Sequence, residues 1–111
     1  MSLYCTVAAW KSKKAKNAAE RLTLLALAEI CASDDVFGPN GITEPKHLPD
    51  AFALTLLSEQ RFNRIVDLFR KRGVIVEDVQ RERPFLGYKP GTRKPIFGDE
   101  VSRIIWRVFF E

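Results

Sequence analysis

From Ser58 to Arg72 apolar residues recur at helical spacing, and Gly73 then interrupts the pattern ahead of Val74-Ile75-Val76. Phe62, Ile65, Val66 and Phe69 share one stripe of the implied helix, and Ser58 stands where a side-chain oxygen caps free backbone N–H groups. A glycine at the helix exit suits a left-handed residue, and β-branched residues right after it favour a strand. The chain must therefore place a basic amphipathic helix directly against a buried strand. Gln60, Arg61, Asn63, Arg64 and Lys71 are left on the polar face.

At 111 residues and 46% apolar composition, there is material for one hydrophobic core and none for a second. One domain spanning 1–111 is expected. The formal net charge of +4 and pI near 9.3 favour a polyanionic partner, but an excess this small is also common in proteins that bind none. Distribution carries more information: residues 1–19 hold Lys11, Lys13, Lys14 and Lys16 without an acid, while Glu29, Asp34, Asp35, Glu44, Asp50, Asp99 and Glu100 gather elsewhere. Cys5 and Cys31 have apolar neighbours and no ligand spacing, so buried thiols are expected rather than zinc or a disulfide. The apolar run from Leu3 to Trp10 is too short to span a bilayer and lacks a basic lead-in, which points to a cytoplasmic chain with no membrane role.

Leu3 to Trp10 is rich in aromatic and β-branched residues and reads as a short strand or extended arm, so residues 1–16 form a basic N-terminal arm. From Asn17 the period changes. Leu22, Leu25, Ala26 and Cys31, widened by Leu24, Leu27 and Ile30, describe a central helix. Ser33 to Gly41 is dense in turn formers and reads as a surface loop. Pro49 to Leu54 suits a short helix with proline in its first turn, Thr55 to Leu57 a turn, and Arg103 to Phe110 a strand pairing with Val74–Val79. That strand puts Ile104, Trp106, Val108 and Phe110 on one face, and Ile105, Arg107 and Phe109 with Arg103 on the other. Between the two strands, residues 80–100 make a long basic excursion. Trp10, Phe52, Phe62, Phe69, Trp106 and Phe110 are assigned to the core.

The fold class that follows is α+β, a winged helix-turn-helix with about three helices, a C-terminal antiparallel hairpin and a short N-terminal strand. Ala9-Trp10 ahead of the lysines, Glu20 to Ala28, Ser33-Asp34-Asp35, Leu57-Ser58, and Arg72-Gly73-Val74-Ile75 occur in an order that resembles the winged-helix domains of phage and mobile-element replication proteins. The resemblance covers most of the chain. It implies that the helix opened by Ser58 reads DNA and that the following hairpin flanks it. Leu56 stands where such turns often carry glycine, so a wider or differently shaped turn is expected. Because such domains commonly precede longer C-terminal regions, a regulator, accessory factor or host-directed phage-type protein is expected rather than a complete initiator.

Ser58, Gln60, Arg61, Asn63, Arg64 and Lys71 are thus the candidate major-groove contacts, of types that bond base edges and phosphates, against the plainer reading of a solvated helix face. Lys13 and Lys14 in the arm, and Arg81, Arg83, Lys89, Arg93 and Lys94 in the wing, are candidate backbone contacts. Their plain alternatives are a soluble linker and a soluble loop. Phe85 and Tyr88 either stack or wedge, or anchor that loop to the domain. His47 has proline neighbours and no catalytic partner, and Gly87 to Gly91 lacks a phosphate-loop ending, so neither enzyme activity nor a cofactor is expected. The expected partner is double-stranded DNA. A protein-interaction module is the alternative, favoured by Glu59, Asp67 and Leu56; RNA is a weaker one. Oligomeric state is open, a homodimer being one option.

Overall fold

The computed structural model describes residues 3–33 and 40–111. Most of the Ser33–Gly41 loop, with Asp34 and Asp35 of the quoted motif, lies outside the described residues. The chain is α+β, with four α-helices and two antiparallel sheets among the described residues. In order these are α1 (Leu3–Lys11), α2 (Ala18–Ile30), β1 (Ala32–Ser33), β2 (Asn40–Thr43), a 3-10 turn (Pro45–His47), α3 (Leu48–Thr55), α4 (Glu59–Lys71), β3 (Ile75–Glu82), β4 (Phe85–Tyr88), β5 (Pro95–Phe97) and β6 (Val101–Phe109).

The N-terminal segment corrects the expectation of a strand or arm. Cys5 and Ala9 are fully buried and four residues apart, so a helical period of small side chains faces the body. Trp10 is consequently turned away and is 64% exposed rather than part of the core. Arg21 fixes the end of α1 from α2, its Nη1 donating to the carbonyls of Ala9 and Ser12 at 2.7 and 2.5 Å. Those carbonyls belong to the last turn and its exit, where intrahelical partners run out.

α2 is the central helix, in contact with α1, α3 and α4. Asn17 caps it by accepting from the Glu20 amide at 2.9 Å, and Glu20 accepts in return from the Lys16 amide at 3.2 Å. The first bond satisfies a backbone donor that a helix start leaves open, and the second ties the residue before the cap to the first turn. Leu24, Leu27 and Ala28 are fully buried, packed in one core with Phe62, Phe69, Val108 and Phe110.

The larger sheet runs β1-β2-β6-β3, all antiparallel. Gly41 in β2 sits against α1 and α2 so closely that a Cβ there would lie 2.6 Å from Cys31 Cβ, with the Cys31 and Cys5 sulfurs at 3.1 and 3.3 Å. Both cysteines are buried free thiols. Burial, then the neighbouring Cys5, pushes the Cys31 thiol up to about 12.

β3 and β6 pair from Ile75↔Val108 to Glu82↔Val101, longer than the sequence suggested. Only the end near the body is covered. Ile75, Trp106 and Val108 are buried, whereas Val79 and its partner Ile104 are more than half exposed. Ile104 thus parts from Trp106 and Val108, which share its face, because the body ends before the strand does, and Ile105, on the opposite face, is fully buried where β6 meets the 3-10 turn. An eight-residue strand reaches roughly 25 Å at about 3.3 Å per residue, in a molecule of 60 × 28 × 22 Å. β4 and β5 then form a separate two-stranded sheet at the end of this arm.

Candidate nucleic-acid interface

α3 leads into α4 through Thr55, Leu56 and Leu57. Leu56 takes the left-handed conformation at φ 57° and ψ 14° and is 93% exposed. Leucine here adopts the left-handed backbone that such turns often give to glycine. The buried Thr55 hydroxyl braces it, donating to the Phe52 carbonyl at 2.8 Å and accepting from the Leu57 amide at 3.3 Å. Ser58 accepts from the Arg61 amide at 3.2 Å, so its oxygen is the N-cap of α4.

Inside α4, Phe62, Ile65, Val66 and Phe69 are buried, and Phe62 packs a tilted ring on Phe52 at 5.5 Å. Opposite them, Gln60, Arg64, Asp67 and Lys71 form one outward row, with Arg61 and Asn63 on its two sides. All six are exposed. Asp67 puts a negative charge inside that row. Arg61 and Arg64 also border a cleft of about 380 Å³ between α4 and the start of α2, with Ser58, Gln60 and Asn17.

Two α4 cations are committed elsewhere. Arg70 lies over the Trp106 ring, 5.0 Å from its centre. Arg72, at the C-cap, donates to Glu20 Oε1 at 2.5 Å. Glu20 is 5% exposed and ties the start of α2 to the end of α4. Burial raises its pKa, but the hydrogen bonds from Arg72 and the Lys16 amide, with the charges of both residues, outweigh that and leave it below the ordinary glutamate value. Beyond Arg72, Gly73 at φ 76° lets the Val74 amide return to the Phe69 carbonyl at 2.9 Å and the Gly73 amide to Arg70 at 3.3 Å. The Val74 carbonyl then accepts from Phe109 at 2.8 Å, starting the sheet.

The remaining sequence-derived sites are dispersed. Lys13 is exposed beside α1, whereas Lys14 donates to the Phe109 carbonyl at 2.8 Å and lies 5.9 Å from the centre of that ring. Desolvation lowers its pKa against the opposing charge of Glu111. Lys14 therefore fastens the α1 exit to β6. Arg81, Arg83, Lys89, Arg93 and Lys94 are all exposed along the arm. Arg103 and Arg107 on the same arm bond internally, Arg103 to Gln80 at 2.6 Å and Arg107 to Asp78 at 2.9 Å. The hydrogen bond from Arg107 leads in holding the Asp78 carboxyl below its usual range.

Sequence reasoning missed Phe97, which pairs across strands with Phe85. The signal was two short apolar runs flanking Pro90-Gly91, the composition of a hairpin within the excursion. Among the described residues no group of three or more His, Cys, Asp or Glu side chains is placed to hold a metal ion, and no helix is long and apolar enough to cross a membrane. Comparison with protein-family models, curated proteins and solved structures finds no match for this chain.

Proposed function

We propose that this chain is a winged helix-turn-helix protein that binds double-stranded DNA, related in kind to the domains of phage and mobile-element replication proteins, and that it regulates or assists replication or transcription by occupying a site. The observation that carries this reading is the outward row of α4. Gln60, Arg61, Asn63 and Arg64 stand exposed at the N-terminal half of a capped helix that follows a tight turn. A 13-residue helix is about 20 Å long and, at roughly 10–12 Å across, fits a major groove about 12 Å wide. Arginine bonds guanine edges in pairs, and asparagine or glutamine does the same for adenine.

The arm would then serve as the wing. Arg81, Arg83, Lys89, Arg93 and Lys94 extend the cationic surface beyond the body, where phosphate contacts set register without reading sequence. Selection of binding sites from random duplexes tests the proposal. An enriched sequence that disappears with Arg61→Ala/Arg64→Ala supports base readout, and enrichment of nothing by the wild type refutes it. Each lost bidentate contact should cost about 1–3 kcal/mol of discrimination.

One observation favours a second reading, a module that recruits or inhibits a protein partner. Leu56 projects almost fully into solvent beside α4, and Glu59 and Asp67 are exposed on that helix. A single stoichiometric protein partner, lost with Leu56→Ser, together with no duplex binding at low salt, would establish it.

A further inference from the structure

At the far end of the arm β4 and β5 carry a built aromatic surface. Phe85 pairs across strands with Phe97, the ring centres 6.0 Å apart, and Tyr88 meets Phe85 edge-on at 5.3 Å. In a regular strand residues three apart point to opposite sides. Here the register shifts between Phe85 and Gly87, adding one residue to β4 and returning Tyr88 to the side of Phe85. Gly87, at φ 119°, supplies the backbone this requires.

These rings do not anchor the loop to the domain. Phe85, Tyr88 and Phe97 are each more than half exposed. Residues 83–98 contain Arg83, Lys89, Arg93 and Lys94 and no acid, and the nearest acids in sequence, Glu82, Asp99 and Glu100, flank the segment where it joins the arm. Exposed aromatic faces interleaved with cations complement a strand whose phosphates are negative and whose bases are unstacked. A duplex offers the phosphates but keeps its base faces stacked.

We infer that the β4–β5 tip is a second nucleic-acid site, separate from α4, that binds single-stranded DNA by stacking bases on Phe85, Tyr88 and Phe97 while Arg83, Lys89, Arg93 and Lys94 hold the backbone. Only the choice of DNA over RNA rests on the duplex reading. The site lies beyond the eight paired residues of β3, so Arg83, Lys89, Arg93 and Lys94, the wing's contacts to duplex phosphates, would pass to those of an opened strand where the duplex ends.

The test measures anisotropy of fluorescein-labelled oligothymidylate with the full chain, its Phe85→Ser/Tyr88→Ser variant, and Tyr88→Phe. The double variant should bind the oligonucleotide at least roughly tenfold more weakly, and Tyr88→Phe should bind as the wild type does. Duplex affinity of the double variant should change less than about twofold, because α4 and the arm's cations are untouched. Since the tip lies outside the core, unchanged thermal unfolding will show the body intact. Equal oligothymidylate binding by the double variant overturns the inference, as does an equal loss on single strand and duplex. Tighter binding of oligouridylate than oligothymidylate overturns the choice of DNA. A wild-type dimer that the double variant abolishes, with single-strand binding unchanged, overturns it in favour of a second copy as occupant. Failure of the duplex reading looks different: Arg61→Ala/Arg64→Ala would leave duplex affinity unchanged while the tip still bound single strands.

Discussion

Replacing Glu20 with alanine should loosen the attachment of α4 to the start of α2. The carboxylate accepts from the Lys16 amide at 3.2 Å, from Asn17 Nδ2 at 3.1 Å and from Arg72 Nη1 at 2.5 Å. Breaking a fully buried pair costs about 3–5 kcal/mol, mostly because one charge is left enclosed. Arg72 keeps 28% of its side chain exposed and turns to water when its partner is gone, so roughly 2 kcal/mol is the better figure. For a domain of this size that lowers Tm by about 8–16 °C. The pH dependence carries an independent sign. Because the folded-state pKa of Glu20 lies below its ordinary value, the stabilisation is complete above pH 4.5 and disappears as pH falls through that lowered value. Thermal unfolding followed by circular dichroism from about pH 7 to about pH 3 measures both effects. The gap between wild type and Glu20→Ala should narrow with acid, and Glu20→Gln should fall between them at neutral pH. A Tm change under about 2 °C, or a gap that widens with acid, refutes the reasoning.

Three further outcomes follow from local geometry. Leu56→Gly should stabilise the protein by about 0.5–1 kcal/mol in urea unfolding, since a left-handed leucine is strained and its 93% exposed side chain buries little. A loss of stability would show that Leu56 packs against something. Gly41→Ala should cost about 1–3 kcal/mol, because its Cβ would stand 2.6 Å from that of Cys31, and an unchanged denaturation midpoint would contradict that packing. Neither Cys5 nor Cys31 should react with a disulfide reagent in the native state at neutral pH, as both are fully buried; two thiols should appear on unfolding, and rapid native reaction would contradict their burial.

Much of the α4 neighbourhood was legible because side-chain pattern and caps agreed there. Phe62, Ile65, Val66 and Phe69 set the buried stripe, Ser58 the start and Gly73 the stop. α2 was readable from its leucine- and alanine-rich helical period, which begins after Asn17. The N-terminal helix was not, because Tyr4, Thr6, Val7 and Trp10 carry strand preference, while the deciding signal was the small pair Cys5 and Ala9, whose weight depends on what α1 packs against. The exposure of Ile104 and the burial of Ile105 have a similar origin. Alternation assigns faces, but where the body ends along an arm is a tertiary fact. The tip failed for a third reason: shared facing of Phe85 and Tyr88 needs a register shift that regular alternation does not anticipate. Exposure of Gln60, Arg61, Asn63 and Arg64 was readable from period alone, whereas the diversion of Arg70 to Trp106 and Arg72 to Glu20 required partners distant in sequence.

The most direct test of the duplex-binding proposal is the salt dependence of affinity for a selected duplex, measured by anisotropy for the wild type and Arg61→Ala/Arg64→Ala. The wild type should show log affinity falling linearly with log salt, with a slope of about −0.9 per phosphate contact, and the variant should bind at least roughly tenfold more weakly at every salt concentration. Wild-type and variant lines that coincide, or no duplex binding at low salt, would contradict the assignment of α4 as the DNA-contacting helix.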